Sequence, residues 1–282
     1  MRLVLTSGEG LNASSCDRLL SHLVDASSKE AGEVTIDLRS ASFVDPYGMA
    51  MLVMVGRQLH RRDGRLICVL PGSDRPVQTI VQTGLLDALR PVAELRNLPK
   101  ELSSRYPSAL PATAIRSRND VQTVVGHLVQ MTRDRLGYNT GDVLDTAKVV
   151  SELCNNVVDH SGAEGIVLAQ LGSDRYGARY VALAVADDGI GIRGSLTRRY
   201  PEAGQWQHGV AIERALGGLI SRETGGGAGL RSVTAVVRRY QGRLTVRSGT
   251  DRVYVSADRT PKVHTGALFP GTLVGISFSQ RP

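Results

Sequence analysis

Four separated groups of residues in this chain have types and spacings that could do chemistry. Glu152, Asn156 and His160 are four apart, so in a helix they project from one face. A carboxylate and a carboxamide placed this way offer hard oxygens to a magnesium ion, which keeps several of its waters. A solvated polar face beside the apolar Val150, Cys154 and Val157 stripe would carry the same pattern. Further on, an apolar run through Val185 and Ala186 leads directly into Asp187-Asp188-Gly189-Ile190-Gly191. That order sets a carboxylate at the mouth of a sheet, followed by glycines with no side chain to block a flat ligand. Asp187 is suited to accept from an exocyclic amine such as adenine's, although a tight turn ending a strand would read alike.

The third group is Gly225-Gly226-Gly227-Ala228-Gly229-Leu230, opening a helix. Unpaired backbone N–H groups and the helix dipole make such a place attractive to phosphates. No Gly-Lys-Ser/Thr follows, so it is not a Walker loop, and no strand leads into it as in a dinucleotide-binding turn. A flexible glycine loop is the plainer alternative. The fourth is Pro270-Gly271-Thr272 before the last strand, where the Thr272 hydroxyl can donate and accept beside Asp187.

The elements that must position these groups fall into two α/β patterns. In residues 1–95, a strand-like start is followed by a buried strand at 34–38, a helix from Tyr47 to Arg62, a strand at 65–70 and a helix from Val77 to Leu89. The helix from Tyr47 is apolar almost all round before it gives way to Arg57, His60, Arg61 and Arg62. Residues 96–117 hold Pro99, Pro107 and Pro111 without periodicity and read as a linker. In residues 118–282, helices at 120–136 and 142–160 come before strands at 165–171 and 180–186. A helix at 230–240 and strands at 243–247 and 273–278 follow. Helices before strands imply a mixed sheet with helices on one face.

Composition narrows the classes. The 282 residues are 41% hydrophobic and 22% charged, the balance of a globular protein. No apolar run approaches the ~18 residues that span a bilayer, and the start lacks a signal-peptide pattern, so no membrane association is expected. Three cysteines, Cys16, Cys68 and Cys154, sit in or beside apolar patterns, as expected of reduced thiols in a cytoplasmic protein. The net charge is +7, but the arginines are scattered among acids, and nucleic acid is not the expected partner.

Taken in order, the four groups resemble the GHKL ATPase superfamily of gyrase-type ATPases, histidine kinases and anti-sigma-factor serine kinases. The resemblance runs over residues 118–282. It implies ATP and magnesium as ligands, with Asn156 on the metal and Glu152 as the catalytic general base. It implies Asp187 as the adenine-reading acid, Gly189 and Gly191 shaping the pocket, Thr272 assisting, and Gly225, Gly227, Gly229 and Leu230 at the phosphates. The Glu-x-x-x-Asn-x-x-x-His form is closest to the anti-sigma-factor kinase branch; no upstream helical hairpin with a phosphoacceptor histidine is found. Residues between Gly191 and Gly225, including Arg193, Arg198, Arg199, Tyr200, Trp206 and His208, correspond to the ATP lid or to a surface insertion.

The segment from Thr35 to Gly48 and the helix after it resemble STAS domains, the anti-sigma-factor antagonists. Where that family has Asp-Ser-Ser-Gly with a phosphorylated serine, this chain has Asp45-Pro46-Tyr47-Gly48. The joint expectation is a cytoplasmic signalling regulator that binds ATP and controls or phosphorylates a protein partner such as a STAS-domain protein or sigma-factor regulator. The alternative is a non-catalytic module with the STAS-like half docked in cis. Many relatives act as dimers, which leaves a homodimer open; no residue marks its surface.

Overall fold

The computed structural model describes residues 1–5, 8–27, 32–99, 109–136, 138–173, 179–217, 229–257 and 259–279. The first unit has four parallel strands in the order β1 (Arg2–Val4), β2 (Glu33–Asp37), β3 (Arg65–Val69) and β4 (Ala93–Arg96). Helices α1 (Ala13–Ser27), α2 (Pro46–His60), α3 (Asp74–Gln82) and α4 (Leu85–Leu89) connect them. Asp45 caps α2 by accepting from the Gly48 N–H at 2.7 Å, and Pro46 occupies the first turn, where no N–H is needed. The single helix expected over 77–89 is two, because Gly84 turns left-handed with φ +61°.

The second unit is a five-stranded sheet in the order β5 (Ala109–Ile115), β6 (Gly165–Ser173), β7 (Arg179–Asp187), β9 (Arg259–Ser279) and β8 (Arg243–Ser256). All four pairings are antiparallel, where a mixed sheet was expected. Helices α5 (Arg118–Met131), α6 (Thr140–Asn156), α7 (Gly191–Thr197), α8 (His208–Leu216) and α9 (Gly229–Arg239) complete it. Ser117 and Asp120 close a reciprocal capping box on α5. The expected linker is corrected at its end: β5 lies inside 96–117 and pairs with β6, so the second unit takes up the chain by Ala109. β8 and β9 are far longer than the strands expected at 243–247 and 273–278. The added lengths pair with each other, with register shifts around Gly249, and the mixed polar residues there gave no clean alternation.

The two units pack as layers. Val181, Leu183, Val185, Val274 and Ile276 face the second unit's own helices and join one core. Their neighbours Ile166, Leu168, Ala184, Ala186 and Leu273 point the other way and join the core of the first unit. Strand alternation thus gives the sheet two apolar faces. The second face is covered by α1 and α2, and every residue of α2 from Pro46 to Gly56 is buried. A helix apolar all round is one buried on all sides, here between two sheets. Among the described residues, no helix is long and apolar enough to cross a membrane.

Candidate functional site

The strand end of β7 delivers Asp187 into the gap between the sheet and its helices. The α6 helix runs to Asn156 and then widens into a π-turn over Val157–Ser161. Such a turn re-aims the side chains that follow it and is common at functional sites. Between these elements lies a cleft of about 610 Å³, lined by Glu152, Asn156, Asp187, Gly191, Gly229, Leu230 and Thr272. Its size is that of a small-molecule site. His160 lines it as well, so the helical face read from the four-residue spacing points into the cleft.

Asp187 is 5% exposed. Burial pushes its carboxyl up to about 6, against the opposing effect of hydrogen bonds from the Gly189 N–H and from Thr272. The Gly189 N–H donates to its Oδ1 at 2.9 Å. Opposite Asp187, Thr272 sits directly across the β7–β9 ladder. A buried carboxylate with one oxygen held by the backbone can receive an amine donor from a ligand on its other side.

Gly189 does not line the cleft. A Cβ there would stand 2.1 Å from the Ser161 carbonyl oxygen, so its glycine is required by backbone packing rather than by ligand clearance. That contact locks the Asp187 turn to the end of the π-turn, and the Ile190 N–H donates to Ser161 O at 3.0 Å in the same place. Gly191 lines the cleft and has φ +70°. Gly225 and Gly227 lie outside the described residues. Gly229 and Leu230, at the start of α9, reach the cleft.

Glu152, Asn155 and Asn156 all line the same space; Glu152 and Asn156 carry oxygens suited to magnesium, and the Asn155 amide also donates to Ser151 Oγ at 3.2 Å. No group of three or more His, Cys, Asp or Glu side chains gathers among the described residues. The donor set therefore fits a magnesium ion that draws its remaining ligands from phosphates and water, and not an all-protein metal cage.

Of the segment expected as an ATP lid or a surface insertion, residues 218–225 lie outside the described residues. Residues 191–217 form α7, a 3-10 turn at Pro201–Gln205 and α8, and Leu196, Ala203, Ile212 and Ala215 are part of the core. Only Arg198, Arg199 and Tyr200 of the named lid residues line the cleft. Trp206 packs under Arg214, 4.1 Å from ring centroid to guanidinium carbon, and His208 bonds Thr250 at 3.0 Å. Sequence reasoning missed Arg118, which enters the cleft from the start of α5 and pairs with Asp159 at 2.8 Å. It missed Ser248 too, whose Oγ accepts from the Ile192 N–H and donates to Gly271 O, both at 2.9 Å. Neither residue lies near the motifs in sequence, and nothing local marks them.

Residues 141–265 match the family model of histidine kinase-, DNA gyrase B- and HSP90-like ATPases. That segment is a GHKL-type ATPase domain; it takes in Glu152, Asn156 and Asp187 and ends before Thr272. Among solved structures, the mycobacterial sensor histidine kinase MprB is similar at 20% identity, over 57% of this chain and 96% of that one, with a TM-score of 0.27. No curated protein matches.

Proposed function

We propose that the cleft binds ATP with magnesium and that its nucleotide state governs a protein partner, in the manner of an anti-sigma-factor serine kinase. The observation that carries this reading is the convergence of buried Asp187 with Asn156 and Glu152 on one cleft inside the ATPase-like segment. Asp187 reads the adenine amine with help from Thr272. Asn156 holds magnesium, and the start of α9 supports the phosphates with the N–H groups of its first turn. In the kinase form of the reading, Glu152 takes the proton of a partner's Ser/Thr hydroxyl as that oxygen bonds to the γ-phosphorus and ADP leaves. Calorimetric titration with ATP-Mg tests binding. Heat of binding by wild type that disappears in Asp187→Ala is expected; no binding by wild type, or unchanged binding by the variant, sinks the proposal.

A second reading treats the chain as a non-catalytic module whose STAS-like half is docked in cis. It is favoured by Tyr47, which stands where a STAS domain has its phosphoacceptor and is 4% exposed beneath β9. A side chain so covered is out of reach of a kinase. Phosphotransfer that Glu152→Ala abolishes supports the kinase; nucleotide binding without turnover supports the module.

A further inference from the structure

The cleft opens on the helical side of the second sheet, yet two of its walls are held from the other unit. Arg57 and Arg61 stand four apart at the C-terminal end of α2, so they share a face. Arg57 donates to the Glu164 backbone carbonyl at 3.2 Å and to its carboxylate at 3.0 Å. Glu164 follows the π-turn that ends the Asn156 helix. Arg61 donates to Asp188, the residue beside Asp187. The Asp188 side chain is fully buried, its other oxygen has no hydrogen-bond partner, and Arg61 is the one cation paired with it among the described residues. The Ile190–Ser161 and Gly189–Ser161 contacts then join the two held segments to each other.

A carboxylate sealed from water is strongly disfavoured unless a cation answers it. Here the answering cation belongs to the first unit, and the acid that needs it adjoins the acid that faces the ligand. We propose that Arg61, assisted by Arg57, is a positioning residue through which the N-terminal unit sets the nucleotide affinity of the cleft. With Arg61 in place, the Asp188 side chain is held by its ion pair, and the turn keeps Asp187 and the Gly189 N–H in register. Without it, the buried Asp188 carboxylate has no cation to answer it and must turn towards water, and the turn moves with it. Coupling of this kind is reciprocal: whatever the docked N-terminal unit adds to nucleotide binding, bound nucleotide adds to docking. The inference rests on Asp187 being the nucleotide-reading acid.

The test uses the full chain. Calorimetry with ADP-Mg is run on wild type, Arg61→Gln, Arg61→Lys and the double variant Arg61→Gln/Asp188→Asn, beside ligand-free amide exchange. Arg61→Gln is expected to weaken ADP about tenfold. It is also expected to speed exchange of the Gly189 and Ile190 amides while leaving β2 and β3 protected. Arg61→Lys keeps the charge and recovers part of the affinity. The double variant removes the unanswered carboxylate and recovers most of it, which a general loss of structure would not do. Wild-type affinity in folded Arg61→Gln overturns the inference, as does a loss that Asp188→Asn fails to relieve. If Arg61→Gln does not fold, an Arg61→Lys affinity equal to wild type overturns it and a weaker one supports it. If wild type itself binds no ADP, the reading of the cleft fails first and this inference with it; the amide exchange, measured without ligand, tells the two failures apart.

Discussion

The ring of Tyr47 lies against the backbone of Gly275, where a Cβ would stand 2.7 Å from the ring's Cδ2. This contact seats the first turn of α2 on the C-terminal part of β9. Burial raises the Tyr47 hydroxyl far above its usual value, and that hydroxyl has no hydrogen-bond partner among the described residues. Gly275→Val should therefore destabilise the chain by about 1–3 kcal/mol through overpacking, and Tyr47→Ala should relieve part of the clash. Tyr47→Phe should leave stability equal or raise it by about 1 kcal/mol, since it removes an unsatisfied polar group. Urea unfolding of the variants decides; a wild-type midpoint for Gly275→Val would refute the seating.

Asp17 of α1 answers two arginines of β8. It accepts from Arg247, whose side chain is 1% exposed, and from Arg252 at 2.7 Å. Asp17→Ala strands a buried guanidinium and should cost roughly 3 kcal/mol, far more than a surface pair would. The double change Asp17→Ala/Arg247→Met should recover much of this. If Asp17→Ala proves neutral in thermal unfolding, the pair is not what joins α1 to β8.

Asp45 is a helix cap whose carboxyl is pushed up to about 7 by burial, with the Gly48 and Tyr47 backbone bonds opposing. A folded value above the unfolded 3.8 means that the folded state binds the proton more tightly. This site's contribution to stability is then greatest below pH ~4, falls as pH rises towards 7, and is flat above. Asn caps as well as Asp and does not titrate. Asp45→Asn should nearly match wild type near pH 4 and exceed it by up to about 4 kcal/mol at pH 8. A stability difference that does not vary with pH would contradict this.

Asp187 sets a pH limit on the proposed nucleotide site. An amine donor requires the ionised carboxylate, and the group titrates at about 6. Wild-type affinity for ADP should be constant above pH 7 and fall about tenfold per unit well below 6. Asp187→Asn should bind at least about tenfold more weakly at pH 8, for loss of a charged hydrogen bond, and show no such fall.

The two units should unfold as one. Cys68 in β3 and Cys154 in α6 are both buried, and burial pushes each thiol up to about 12. Neither should react with iodoacetamide in the folded chain. Under rising urea both should become reactive at the same midpoint, because first-unit residues share a core with Ile166, Leu168 and Ala184. Separate midpoints would mean that the two units are independent.

Much of this was legible in the sequence. Glu152, Asn156, Asp187, Gly191, Leu230 and Thr272, singled out by residue type and spacing, all line one cleft. The two-sided burial was visible in outline: α2 is apolar all round, and Val181–Ala186 is apolar at every position where alternation was possible. Those patterns say that an element is covered on both sides, but not by what. The partner of α2 lies more than a hundred residues away, and no local rule carries that distance. The same holds for Arg61, which reads as a basic residue ending a helix and acts on Asp188. Gly189 meets the Ser161 carbonyl and not the cleft lining, and a glycine that admits a ligand and one that admits a carbonyl look identical in sequence.

The burial of α2 between two sheets also imposes an order on synthesis. Its inner sheet is encoded around it, from β2 to β4, and can form early. Its outer cover is not available until β6, β7 and finally β9 have been made, and β9 ends at Ser279. A chain leaving the ribosome at 5–20 residues per second carries the bare outer face of Met49–Val55 for on the order of ten seconds. For that interval the nascent protein presents an uncovered apolar helix to the cell, and its yield depends on what shields that helix until β9 arrives.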